Sequence, residues 1–281
     1  MRRWLFAAAA IAAAVVGGRL AFADPIRELN DKHHFPTKEK FFAGHGGGGQ
    51  NLVNHGGPVI HNARVVSIFW GPSWATGGAD SATAGHVVAF FNQFGTSSHY
   101  AVITQYYDST GSIQTTSLGN TSWIDTSTPP TNVTDAAVQG EVLKYLSQHS
   151  LTADSSTIYE VFLPRSSYSS DGSATSCGGP NLQYCAYHGH FSSGGRDIKY
   201  SAMPYPSCGG CQSAGFTAAQ NLDHFSCHET REAVTDEDLN AWYDRRGFEA
   251  DDKCAWSPAP FIDSGFGYQY EWSNAAGGCV R

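Results

Sequence analysis

His228-Glu229-Thr230-Arg231-Glu232 is the stretch of this 281-residue chain whose residue types and spacing most directly imply chemistry. It falls within Phe216 to Val234, where Leu222, Phe225 and Ala233 recur along one side, a pattern that predicts a helix. Residues four apart on a helix share a face, about 40° apart, so His228 and Glu232 can hold one cation together. Glu229 sits one step round, beside an open coordination position, where a carboxylate can serve as general base toward water. Zn is the first expectation for the cation. One His with two carboxylates makes a weaker Lewis acid than two His with one, so harder ions such as Mn or Ca also fit. The competing reading is a solvated helix face, although Glu229 and Arg231 are not spaced as a helical ion-pair ladder.

Further candidates lie on both sides of this motif. Downstream, Glu249-Ala250-Asp251-Asp252 offers two carboxylates three apart, Glu249 and Asp252, so one could bind the cation while the other steadies a ligand. No histidine follows His228. A partner for a reaction intermediate must therefore come from Tyr243 or from upstream, where His188 and His190 flank Gly189 close to Cys185. Both histidines read equally well as turn residues, and Trp242 and Tyr243 as packing for the helix.

Several elements must position these groups. Arg64 to Trp70 reads as a buried strand ended by Gly71-Pro72, and Thr157 to Leu163 as another. Val87, Phe90, Phe91 and Phe94 predict a helix over 84–94, with Asp80 or Ser81 as N-cap. Thr134 is expected to cap a helix carrying Val138, Val142, Tyr145 and Leu146. Strands are expected over 101–107 and 112–118, a Ser/Gly-rich loop over 166–181, and short strands and turns over 182–206. The pattern is α+β in a single domain from 58 to 281.

The N-terminus has a basic start (Arg2, Arg3), an apolar run from Trp4 to Val16 and Ala21-Phe22-Ala23, the pattern of a secretory signal peptide over 1–23. Losing its three arginines takes the formal net charge from −8 to −11. So acidic a chain, with no basic run, is a poor partner for nucleic acid or anionic membrane surfaces. Beyond the leader no stretch is apolar enough to span a bilayer, and a secreted, extracellular protein is expected. Residues 24–57 are charged, then Gly- and His-rich, and read as a flexible arm or pro-segment; His33, His34, His45, His55 and His61 could bind metal loosely, but a solvated linker is the better description. Export permits disulfides, and seven cysteines leave one over. The expected pairs are Cys177–Cys185, Cys208–Cys211 and Cys254–Cys279, leaving Cys227.

Two resemblances extend this reading. His228 through Asp236 resembles the active-site helix of the thermolysin-like gluzincins, with Glu232 in place of the second His. That resemblance implies a third carboxylate ligand about twenty residues on, which places Asp252, or Glu249 in the alternative register, at the metal and matches Tyr243 to a transition-state tyrosine. More widely, Gly56-Gly57-Pro58-Val59, Val65 to Gly71, Cys185 to Phe191, Cys208-Gly-Gly-Cys211, Ser226 to Asp236 and Glu249 to Cys254 are similar to segments of the EXORDIUM/phosphate-induced protein family and its bacterial relatives. Cys227 and Glu237 depart from that family's usual Ser and Pro. The resemblance implies a secreted or cell-wall protein and lends no defined reaction. Together these features lead us to expect a zincin-like α+β domain with a mixed sheet, a metal-site helix and disulfide-stapled loops. Its expected activity is that of a metallohydrolase on a peptide or cell-wall substrate; the alternative is a non-enzymatic extracellular protein with a structural metal.

Overall fold

The computed structural model describes residues 32–44, 49–119 and 121–281; the expected leader over 1–23 lies outside them. Six strands form the central sheet: β1 (Lys32–Pro36), β2 (Arg64–Trp70), β3 (Thr121–Asp125), β4 (Thr157–Phe162), β5 (Tyr184–Ser193) and β6 (Arg196–Met203). Their spatial order is β1-β5-β6-β4-β2-β3. β6, β4, β2 and β3 run parallel, whereas β5 is antiparallel to both β6 and β1. The fold is therefore α+β with a mixed sheet.

The parallel part explains why β4 is buried at every position and β2 at five of seven: both faces are covered, so the strands read as apolar runs. On one side lies α3 (Asp135–Gln148), whose N-cap Thr134 accepts a hydrogen bond from the Ala137 amide. On the other lie α2 (Ser81–Phe94) and α4 (Ala218–Thr235). The α4 N-terminus is fixed by a capping box between Thr217 and Gln220. From Asn221 to Thr235 every residue of α4 is buried, because sheet, α2 and the Phe266–Tyr268 strand enclose the helix. The Leu222 and Phe225 side meets the aromatic core; the polar side faces inward as well.

Four expectations need correction. Residues 98–105 form helical turns, and of the two strands expected around them only a Tyr107–Ser112 bridge remains. The loop expected over 166–181 contains two short strands, Tyr168–Asp171 and Ala174–Thr175. The short strands and turns expected over 182–206 are instead two long strands, the hairpin β5–β6, whose alternation is hidden because the paired faces are both covered. The stretch 24–57, read as a flexible arm, contributes β1 and α1 (Lys38–Gly44), and β1 is buried along its whole length. Local polarity misleads there because β1's side chains are neutralised by partners supplied by the rest of the chain.

The cysteines pair Cys177–Cys208, Cys185–Cys211 and Cys254–Cys279. The expected pairs Cys177–Cys185 and Cys208–Cys211 are not formed: Cys208 reaches back to Cys177, ahead of β5, and Cys211 to Cys185 within it, stapling one loop at two points. Cys227 is the buried free cysteine.

Candidate metal centre

Strand register sets half of this site. Across the sheet, His33 pairs with His188, His188 with Ser201, Ser201 with Glu160, and Glu160 with Ser67. Directly paired residues point to the same face, so these polar side chains form a row beneath α4. The helix supplies the other half. Glu160 accepts a hydrogen bond from the Thr230 hydroxyl at 2.5 Å, and His188 Nδ1 lies 2.9 Å from Glu229 Oε2.

The acidic turn at 249–252 closes the cluster. The Asp252 amide donates to Glu232 Oε1 at 2.9 Å, which fixes this turn against the helix. His228 Nε2 then stands 3.1 Å from Glu232 Oε2 and 3.7 Å from Asp252 Oδ1. Glu249 lies 3.2 Å from His33 Nδ1 and 3.8 Å from His188 Nε2. His33 Nε2 reaches Asp252 Oδ2 at 2.5 Å. Of the expected site residues, His188, His228, Glu229, Glu232, Glu249 and Asp252 thus converge, and none is more than 1% exposed. A solvated helix face is excluded.

Two expected residues stand elsewhere. His190 faces Asp197 at 2.9 Å beside Lys199, in a partly exposed acidic group of its own. Tyr243 stacks on His55 with ring centroids 3.6 Å apart, on a two-stranded ladder opposite Val53.

His33, expected at most to bind metal loosely from a solvated linker, sits inside the cluster, and two further participants were missed. Gln269 Oε1 lies 3.1 Å from His228 Nδ1 as acceptor, and its Nε2 donates to the Asp251 carbonyl and Oδ1, so Gln269 sets the ring orientation of His228. Glu160 is a lone acid inside an apolar strand, and that oddity was the available signal.

The electrostatics are severe. Glu229, Glu232, Glu249 and Asp252 are buried together, and the neighbouring cation Arg231 is already engaged by Asp251 and Glu271. Burial, with His228 pulling down against Glu232 and Asp252, pushes Glu229 well above the usual carboxylate range. Glu232 is pushed up by burial and by Asp252. Burial and the neighbouring His33 and His228 push His188 well below the usual imidazole value. Glu160 rises to about 8 through burial. Such groups require either shared protons or a bound cation.

The donor set fits a cation. His33, Glu232 and Asp252 offer ligand atoms within 4.8 Å of one another, as do His188, Glu229 and Glu232. His228 Nε2 and Glu232 Oε2 are both buried without a hydrogen bond although they face one another. Mixed nitrogen and carboxylate donors suit zinc and tolerate harder divalent ions. Comparison with family models, with curated protein sequences and with solved structures finds no match, so the chemistry rests on this geometry.

Proposed function

We propose that this protein is a secreted, zincin-like metal-dependent hydrolase, a peptidase in which His228, Glu232 and Asp252 hold a zinc ion or another divalent cation. The observation that carries the reading is the pair His228 Nε2 and Glu232 Oε2. One helical turn apart, both are buried and aimed at the same point, with Asp252 Oδ1 3.7 Å from the imidazole nitrogen. A cation held there would supply Lewis acidity toward water and a substrate carbonyl. Glu229 is placed to take a proton from water at Oε1, while its Oε2 is held by His188. His188 in turn can stabilise negative charge developing beside Glu229. Gln269 keeps the His228 ring turned so that Nε2 faces the carboxylates. The likeness of the 228–236 helix to gluzincins and of six segments to the EXORDIUM/phosphate-induced family supports both the site and export. So do the three disulfides. Among the described residues no helix is long and apolar enough to cross a membrane.

The test is elemental analysis of the purified protein beside His228→Gln and Glu229→Gln. About one divalent ion per chain is expected in the parent and in Glu229→Gln, and loss in His228→Gln. A parent protein that binds no divalent ion would refute the reading. One observation favours a second reading, a permanently closed structural metal site: the cluster is at most 1% exposed, with His33 seated in it. Retained metal with no hydrolysis of any peptide, by the intact chain or by chain cut between Gln50 and Asn51, would select that alternative.

A further inference from the structure

With β1 in place no residue of the cluster is more than 1% exposed, and β1 is held the way an extended peptide would be held. It adds to the edge of β5 through five register pairs, Lys32 to Pro36 against Gly189 to Tyr184. The sheet from β5 to β3 is continuous without it. Alternate side chains enter separate pockets, as in β-strand addition. His33 lies between Asp252 and Glu249, at 2.5 and 3.2 Å. Two positions on, Phe35 is fully buried, stacked on His228 with centroids 4.2 Å apart and on Trp256 at 5.2 Å. Trp256 Nε1 also donates to the Pro36 carbonyl at 2.9 Å, a contact that reads backbone and not side chain. On the opposite face Lys32 and His34 meet Asp171, at 3.7 and 3.2 Å.

We propose that residues 32–36 are a built-in occupant of an extended-polypeptide site along β5, and that the site's ligand is a polypeptide strand with an aromatic residue two positions beyond the one set against the cluster. This proposal deepens the hydrolase reading and rests on it for the fate of the ligand. Backbone pairing to β5 supplies sequence-independent affinity. The pocket formed by Phe225, His228 and Trp256 selects the aromatic residue, and Asp171 favours basic residues on the outer face. While β1 is seated it masks the site.

The experiment uses the full chain with a specific protease site inserted between Gln50 and Asn51, both exposed, and cut in the folded state. A fluorescent Lys-His-His-Phe-Pro peptide is then titrated, with anisotropy as the readout and zinc content measured alongside. The expected result is peptide uptake by cut but not uncut protein, with affinity lowered at least about tenfold when Ala replaces Phe in the peptide. The uncut Phe35→Ala chain provides a second route: it should take up the peptide slowly while keeping its zinc. Failure of both folded proteins to take up peptide would overturn the proposal. Loss of zinc on cutting, or unfolding of both proteins, would also overturn it, because β1 would then be a permanent part of the site or core. Uptake without any zinc or hydrolysis would sink the hydrolase reading and leave the polypeptide site standing. Zinc-dependent hydrolysis equal in cut and uncut protein, without uptake, would do the reverse.

Discussion

Arg231 is fully buried on α4 and grips Asp251 through both its Nε and its Nη2 atoms. Each of the pair is one residue from a proposed ligand, Glu232 and Asp252. The ion pair therefore sets the register in which the acidic turn meets the helix. Nε also lies 2.7 Å from Glu271, and Nη1 donates to the His99 carbonyl at 3.0 Å. Arg231→Met should leave buried acids without a counter-charge and cost about 3–5 kcal/mol, read by denaturant unfolding. A loss under about 1 kcal/mol would show that the pair does not organise the site.

In protein cut between Gln50 and Asn51, where β1 is free to leave, Glu229→Gln should keep the metal and the fold while lowering peptide hydrolysis by at least about 100-fold, the usual scale for a general base. Metal analysis and turnover on the same sample decide it. Full activity in this variant would remove Glu229 from the chemistry.

The two downstream acids should separate. Asp252 is oriented by its own amide's bond to Glu232 and lies near His228, whereas Glu249 sits between His33 and His188. Asp252→Asn should strip the metal, and Glu249→Gln should weaken it only about 10–100-fold. Competition with a chelator measures both; the opposite order would make Glu249 the ligand.

Thiol labelling without reduction should modify Cys227 alone, and only after denaturation. Burial pushes its thiol up to about 12, so the folded protein offers neither access nor thiolate. Peptide mapping should recover Cys177 linked to Cys208 and Cys185 to Cys211. Replacing both Cys185 and Cys211 by Ser, which frees a 26-residue separation, should cost about 3–4 kcal/mol.

Acid should weaken the β3 edge. Burial raises Asp125, but hydrogen bonds from Lys144 and Ser127 outweigh it and hold the carboxyl down at about 2. Its folded value is below its unfolded one, so its contribution is present above about pH 4 and is lost as pH falls toward 2. Lys144 is partly exposed, which limits the contribution to roughly 1 kcal/mol. Asp125→Asn should flatten the acid limb of the stability profile by about that amount; an unchanged limb would assign it to other carboxylates.

The sequence by itself determined what depends on local spacing. The 3.6-residue period placed α2, α3 and α4, the apolar runs placed β2 and β4, and the HExxE spacing put His228 and Glu232 one turn apart. Asp252 and His188 were legible as donor types, though nothing local could show that they meet. Tertiary structure decided the rest, because it depends on pairing between distant strands. His33 lies 155 positions from His188, yet β1 and β5 set them side by side. The burial of α4's polar face was also invisible: the spacing proposed a metal site against a solvated face, and only the sheet, α2 and the Phe266–Tyr268 strand closing over the helix decide between burial and exposure. The cysteine pairs followed the same rule, since Cys208 and Cys211 are staples between segments and not across their own short loop. A segment whose composition predicts an arm became a core strand because its charges and imidazoles find Asp135, Asp171, Glu249 and Asp252. Its ordering is stabilised by partners that only the folded chain brings within reach.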